Sequence, residues 1–330
     1  MKDTRGILMD IATIAENIIQ KSDKKLKEIY FVACGGSLVD MYVSNYLIMH
    51  ESMSLVSGWV TGNEFAKATP KRLGKQSLVI LCSHSGNTPE TVDAGIIAKK
   101  AGAQTVGFTF NENADLLKIT DYSYVYDWGN EREVDNNPMA LIMNLTVEVL
   151  RKIEGFENYS KFKDGLKKIN SIVANAEDFV QQRAKNFAVA RADEKLFNVI
   201  GSGATFGQIY GFAICSLMEM QWINAIAINS GEFFHGPFEV TDKELPFILT
   251  LSVGKTRYLD ERVKSFLNSY AKKIEIIDAK ELGLDLIDEE VAEYFNPILF
   301  YSVLAQYRKA LGNVRNHPLD IRRYMGKVEY

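Results

Sequence analysis

Four short segments of the chain recur in the same order 166 to 169 residues further along. Tyr30–Gly36 (YFVACGG) is echoed by Leu196–Gly203 (LFNVIGSG), and Thr61–Phe65 (TGNEF) by Asn229–Phe233 (NSGEF). Leu78–Ser83 (LVILCS) is echoed by Phe247–Ser252 (FILTLS), and Gln104–Phe110 by Lys273–Ala279. One such likeness can arise between any two α/β halves, but four in register imply an internal duplication. The repeated unit alternates short, near-continuous apolar strands with helical patterns, which requires a parallel sheet covered on both faces. In the first copy the strands are expected at Ile29–Gly35, Met53–Val60, Ser77–Ser83, Gln104–Phe110 and Tyr122–Asp127. An amphipathic stretch runs through Met49, and a helix from about Pro89 to Ala101. With 330 residues there is room for two domains of ordinary size. The expected boundaries are 1–157 and 158–330. Asn158–Arg191 between them is charged and helical, a connecting helix rather than a flexible linker.

Composition narrows the possible functions. A chain that is 47% hydrophobic and 24% charged buries a substantial core. A net charge of −4 gives no broad attraction to nucleic acid or to an anionic membrane, so any anion must be held by a local site. No apolar run approaches the ~20 residues of a membrane span, and the N-terminus lacks the apolar stretch of a secretory signal. Cys34, Cys82 and Cys215 lie in apolar runs and read as buried free thiols, which favours a reducing cytoplasm. His50, His84, His235 and His317 show no metal-ligand spacing, so no protein-bound metal is expected.

The most informative local segment is Ser83-His84-Ser85-Gly86-Asn87-Thr88-Pro89-Glu90-Thr91, which joins a buried strand to an amphipathic helix. Pro89 suits the first helical position, where a missing N–H costs nothing, and Thr88 is then expected to cap the helix. The hydroxyls of Ser83, Ser85 and Thr88 converge with the free amides of the first turn and the positive end of the helix dipole. Such a place binds a phosphate monoester without Lys or Arg. An ordinary Ser/Thr cap would explain Thr88 alone, but not three hydroxyls in six residues around Gly86. Ser37, after the turn Gly35-Gly36 at the end of the first strand, is expected to add another hydroxyl at the same sheet edge, where open α/β folds bind ligands. The second copy, Ser252-Val253-Gly254-Lys255-Thr256-Arg257, keeps the strand and loses the hydroxyls, so one phosphate site per chain is expected.

Two further residues have the chemistry of proton transfer. Glu219 lies in Phe206–Trp222, a helix apolar nearly all round. A carboxylate there must be paired, protonated or at a cleft wall, and burial would raise its pKa toward that of a general base. The alternative is a Glu on the single solvated stripe of that helix. Sixteen residues on, His235 sits in the Gly/Pro-bounded aromatic loop Glu232–Phe238 and can exchange a proton near pH 7. A lone histidine is more often a hydrogen-bonded structural residue, and spacing does not separate the two.

At these residues the sequence resembles the sugar isomerase (SIS) domain family, and more narrowly the fructosamine deglycases, over essentially its whole length. The resemblance is carried by FVACGGS (Phe31–Ser37), SLVILCSHSGNTPETV (Ser77–Val92), YDWG (Tyr126–Gly129), LMEMQWI (Leu217–Ile223), GEFFHGPFE (Gly231–Glu239) and NHPLDIRRYMGKVEY (Asn316–Tyr330). It implies two tandem SIS domains, each a flavodoxin-like three-layer αβα unit. It further implies a phosphosugar bound by Gly36, Ser37, Ser83, His84, Ser85, Thr88 and Arg323, and catalysis by Glu219 and His235 without metal or cofactor. The isomerase half of glucosamine-6-phosphate synthase carries a similar Glu–His–Gly–Pro spacing. That similarity implies that Glu219 shifts a proton between C1 and C2. It also implies that His235 opens the sugar ring from a neighbouring subunit, making a homodimer with the site at its interface. The position of that relative's ring-opening lysine falls on Arg323, with Lys327 nearby. A guanidinium forms no Schiff base, which favours release of an amine over its addition.

The reaction implied is hydrolysis of a fructosamine 6-phosphate, such as fructoselysine 6-phosphate, to glucose 6-phosphate and an amine. Rival readings are an aldose–ketose isomerase or amino-sugar-phosphate deaminase of the same family, and, in another class, a non-catalytic sugar-phosphate-binding regulator. For the regulator, the roughly 28 residues before the first strand are too few for a three-helix DNA-binding domain. Residues selecting the leaving amine are expected near Tyr126–Glu131, in the tail and at a subunit boundary.

Overall fold

The computed structural model describes residues 10–22, 25–127 and 133–329. The chain divides into two compact units, Met1–Tyr159 and Ser160–Tyr330. The first unit contains β1 (Glu28–Ala33), β2 (Val56–Thr61), β3 (Ser77–Cys82), β4 (Gln104–Thr109) and β5 (Tyr122–Val125). They form one all-parallel sheet in the order β2-β1-β3-β4-β5, the flavodoxin-like order. Its helices are α1 (Ile11–Ser22), α2 (Gly35–Val39), α3 (Tyr42–Glu51), α4 (Gly62–Lys67), α5 (Pro89–Lys100), α6 (Asp115–Ile119) and α7 (Pro138–Ile153).

Every residue of β1, β3 and β4 is buried, as strands covered on both faces must be. On one face Tyr30, Val32, Val79 and Leu81 pack against Phe65 of α4, Ala94 and Ala98 of α5 and Leu116 of α6. Small alanines on α5 bring that helix close to the sheet. On the other face α1 is tied to β4 by Gln104 Nε2, which donates to the Ile18 carbonyl at 3.0 Å.

The second unit opens with the 33-residue helix α8 (Tyr159–Arg191). It continues through β6 (Leu196–Gly201), α9 (Phe206–Gly211), a π-helix (Phe212–Glu219), β7 (Asn224–Asn229), β8 (Pro246–Leu251), α10 (Arg257–Tyr270), β9 (Lys273–Asp278), α11 (Glu289–Ala292) and α12 (Asn296–Val314). The sheet is again all parallel, in the order β7-β6-β8-β9, which repeats the first without a fifth strand. β1 and β6 start at Glu28 and Leu196, β2 and β7 at Val56 and Asn224, β3 and β8 at Ser77 and Pro246, and β4 and β9 at Gln104 and Lys273. The two copies thus run in step to within one residue.

Three expectations need correction. β2 begins at Val56 rather than Met53: Ser52 ends α3 and its hydroxyl accepts from Leu55 N at 2.9 Å, turning the chain, while Met53 is 97% exposed. Of the three free thiols only Cys82 is buried; Cys34 and Cys215 are partly exposed. The helix carrying Glu219 turns from α to π geometry at Phe212 and stops at Trp222, which the apolar pattern does not disclose. Among the described residues no helix is long and apolar enough to cross a membrane.

The second copy also shows why its strand–helix loop lost its hydroxyls. Asp260, in the first turn of α10, is fully buried at the corresponding sheet edge. Its carboxylate accepts from Ser230 Oγ at 2.6 Å and Ser252 N at 3.0 Å, and Ser252 Oγ lies 2.8 Å from Thr205 Oγ1. Burial raises the Asp260 pKa, and the hydrogen bonds from Ser230 and Ser252 oppose that rise. An internal carboxylate therefore occupies the loop that an external anion would need. Replacing Asp260 by Ala would strand a buried hydroxyl and a buried amide. We expect Asp260→Ala to lower the free energy of unfolding by about 2–4 kcal/mol, read from urea denaturation.

Candidate active site

In the first unit the hydroxyl loop follows β3 directly. Ser83 is buried, and its Oγ lies 2.9 Å from Thr88 Oγ1 and 3.4 Å from Ser85 Oγ. The three hydroxyls expected to converge do so. Thr88 sits at the N-cap of α5 with Pro89 behind it, but its hydroxyl makes no capping bond. It faces Ser83 instead, which leaves the first-turn amides of α5 without a side-chain cap from Thr88. A tetrahedral anion with several oxygens satisfies such amides and hydroxyls together, and the helix dipole favours it further.

Gly86 makes the loop possible. Its φ is +67°, and a Cβ there would lie 2.2 Å from Ala114 Cβ and 2.6 Å from Thr109 Oγ1. The loop is pinned from outside by Asn111 Nδ2, which donates to Ser85 O at 3.1 Å, and by Asn87 Oδ1, which accepts from Asp115 N at 2.8 Å.

Ser37 joins this edge through the strand beside it. Its hydroxyl and that of Tyr126 act to lower the pKa of the Cys82 thiol, and the Asp40 charge acts to raise it. Burial first, and Asp40 second, push the Cys82 thiol well above the ordinary range, so it stays protonated. Desolvation pushes Asp40 up to about 7. Gly36 is exposed, and a side chain there would meet nothing within 4 Å. His84 leaves the hydroxyl group and stacks on Phe110, with ring centroids 5.0 Å apart, while its Nδ1 lies 3.2 Å from Tyr126 Oη. Burial lowers the His84 pKa, favouring the neutral ring.

In the second unit Glu219 ends the π-helix at the wall of a cavity of about 520 Å³. Apolar walls come from Ile214, Met218, Trp222 and Ile223, and the C-terminal tail adds Arg322, Arg323, Tyr324 and Met325. Glu219 is not sheltered in grease. Its side chain is 24% exposed, and Oε1 accepts from Arg322 Nη2 at 2.7 Å. The carboxylate is thus paired and at a cleft wall.

The tail reaches Glu219 because the chain turns back against the last turn of α12, with His317 N donating to Gly312 O. Gly312 lets His317 O approach, where a Cβ would lie 3.1 Å from that oxygen. Gln221 Nε2 then donates to His317 O at 3.0 Å. Trp222 ends the helix in the left-handed region, with φ +54°. Its amide bonds Met218 O, and the next amide bonds Leu217 O, each one residue wider than the Schellman pattern, as a helix ending on a π-turn requires, at a left-handed position that ordinarily uses Gly. A bulky side chain there costs about 1–2 kcal/mol. What it provides is a platform: the indole packs edge-on to His317, and the Arg323 guanidinium lies 4.3 Å from the ring centre.

The sequence candidates are therefore dispersed in a definite way. Ser83, Ser85 and Thr88 form one cluster with Ser37 beside it, and His84 lies at its edge. Glu219 and Arg323 share a second site. His235 is exposed on the turn after β7 and is not among the residues lining the Glu219 cavity. Lys327 Nζ is tied to the Arg322 carbonyl. Trp128 to Glu131, in the segment expected to select the amine, lie outside the described residues. Sequence reasoning missed Arg322, although it quoted the RRYM motif: nothing in two adjacent arginines says which one turns inward. It also missed Asp40, whose electrostatic influence on Cys82 arises only in the folded chain. Among the described residues no group of three or more His, Cys, Asp and Glu side chains is placed to hold a metal ion.

Two successive flavodoxin-like sheets with a hydroxyl-lined strand–helix loop define the tandem SIS class of phosphosugar proteins. No family model matches the chain. It is 41% identical to the fructosamine deglycase FrlB of Bacillus subtilis over 307 residues, 93% of this chain and 94% of the relative. It is 24% identical to the fructoselysine 6-phosphate deglycase of Escherichia coli over 100% of this chain and 95% of that protein. A crystal structure from Salmonella typhimurium LT2, assigned as a phosphosugar isomerase, superposes with a TM-score of 0.92 at 40% identity, covering 97% of this chain and 99% of the other. The chain belongs to the fructosamine deglycase family.

Two outcomes follow from the first-unit geometry. Gly86→Ala forces a side chain into Ala114 and Thr109, so binding of a hexose 6-phosphate should fall at least tenfold by calorimetry, with a lowered Tm. Asp40 titrates higher in the folded than in the unfolded chain. Its contribution to stability is full below about pH 4 and lost as pH rises through about 7. Asp40→Asn should therefore raise Tm relative to the parent at pH 8 and leave it nearly unchanged at pH 4, measured by calorimetry.

Proposed function

We propose that this protein hydrolyses fructosamine 6-phosphates, fructoselysine 6-phosphate foremost, to glucose 6-phosphate and a free amino acid. The observation that carries this reading is the 41% identity to a fructosamine deglycase over 93% of the chain. The hydroxyl cradle and the paired carboxylate supply chemistry that suits it.

Ser37, Ser83, Ser85 and Thr88 hold the 6-phosphate and fix the sugar chain, contributing orientation. Glu219 removes a proton from C1, next to the C2 carbonyl, and the resulting enaminol is reprotonated at C2. The product is an imine at C1, which water converts to the aldehyde of glucose 6-phosphate with departure of the amine. His235 moves the proton that opens the sugar ring. Its ring makes no hydrogen bond recorded among the described residues, and it stands on an exposed turn outside the Glu219 cavity, which supports its serving the site of a neighbouring subunit in a homodimer. Arg323, always charged, lines the cavity and forms no Schiff base. The residues for phosphate binding belong to the first SIS domain and the Glu/His pair to the second. A cytoplasmic setting suits a phosphorylated substrate and three free thiols.

Glucose 6-phosphate production from a panel of phosphorylated glycated amino acids, with glucosamine 6-phosphate and fructose 6-phosphate as controls, tests the reading. Turnover of the controls alone would replace it with a deaminase or an isomerase. Glu219→Gln should retain substrate binding and lose about 10²–10⁴ in kcat; a variant keeping more than a tenth of the parent rate removes Glu219 from the chemistry. His235→Ala should impair cyclic substrate more than a substrate locked open.

A further inference from the structure

The contact between Arg322 and Glu219 has a use beyond neutralising a carboxylate. Arg322 presents its fork unequally. Nη1 is fixed to the tail's own backbone, donating to Leu319 O at 2.6 Å and Ile321 O at 3.1 Å. Nη2 alone reaches Glu219 Oε1, at 2.7 Å. The guanidinium is therefore held in place by the tail and offers one edge to whichever carboxylate enters the cavity. Both partners are partly open to solvent, with side-chain exposures of 20% and 24%. An incoming carboxylate that takes the place of Glu219 keeps the guanidinium in a charge-assisted hydrogen bond, so the exchange leaves its charge paired throughout. While Nη2 is bonded to it, Oε1 has a lone pair committed and is a poorer acceptor for a proton from carbon.

We infer that Arg322 is a carboxylate-exchange residue: the carboxylate of the amino-acid portion of the substrate takes Arg322 from Glu219 and so releases the base only when an amino-acid adduct is bound. This rests on the deglycase reading of the same site and adds the device by which it tells amino-acid adducts from adducts of simple amines. The cavity suits the task. Met218, Trp222 and Ile223 give an apolar wall for the alkyl part of an amino acid, and Arg323 over Trp222 adds a second cation to the lining. Because the exchange governs release of the base, the carboxylate acts on kcat and not only on KM.

The test compares fructoselysine 6-phosphate with its decarboxylated counterpart, the 6-phosphate of the fructose adduct of 1,5-diaminopentane. The parent enzyme should favour the carboxylate-bearing substrate at least tenfold in kcat. In Arg322→Gln, which leaves Glu219 permanently untethered, the two kcat values should agree within about threefold, and Arg322→Lys should restore part of the preference. Retention of the parent circular dichroism spectrum and of hexose 6-phosphate binding by Arg322→Gln separates this from unfolding. Equal kcat values for both substrates in the parent overturn the inference alone, as does a preference that survives in Arg322→Gln. Cleavage of neither substrate by the parent overturns the deglycase reading and the inference with it.

Discussion

Parallel strands cannot be joined by tight turns, and that constraint governs what the rest of the molecule can do. Each strand must be followed by a crossover, so every strand-to-helix loop within a sheet emerges at the same edge. Strands buried on both faces leave polar chemistry nowhere else to go. In the first unit the loop after β3 gathers Ser83, Ser85 and Thr88 at that edge, and the short helix α2 after β1 carries Ser37. On the proposal that this loop holds the 6-phosphate, the helix amides that follow β3 explain hydroxyls rather than cations: the amides carry partial positive charge, and hydroxyls would complete the coordination without repelling one another.

The second unit meets the same constraint differently. Its helix α10 also begins at the edge of the sheet, yet Asp260 lies there fully buried, with Ser230 and Ser252 donating to it. The arrangement keeps the donors of an anion site and supplies the anion from within. Duplication thus yields one loop open to a ligand and one closed by its own side chain. The closed copy is freed for other work, and the element carrying Glu219 belongs to it.

Glu219 illustrates how geometry replaces burial as the means of handling a charge. An apolar helix would force an isolated carboxylate to protonate or to find a partner. The π-helix and the left-handed residue Trp222 end the element in a way that exposes the carboxylate to a cavity, and the tail returns Arg322 to it. The stored strain at Trp222 and the close approach at Gly312 both serve this return.

The sequence by itself determined the duplicated plan, the parallel strands and the convergence of three hydroxyls at the start of α5. Each rests on periodicity or on residues within one loop, where chain connectivity already limits the geometry. The hydroxyl of Thr88 was legible as a member of the cluster but not as facing Ser83 instead of capping, because both conformations suit the same residue. Only the tertiary structure decided that Asp260 fills the second loop, that the Asp40 charge is felt at Cys82 and that Arg322, not its neighbour Arg323, pairs with Glu219. Those contacts join residues distant in sequence, and their formation depends on helix ends and chain reversals whose angles no local pattern encodes.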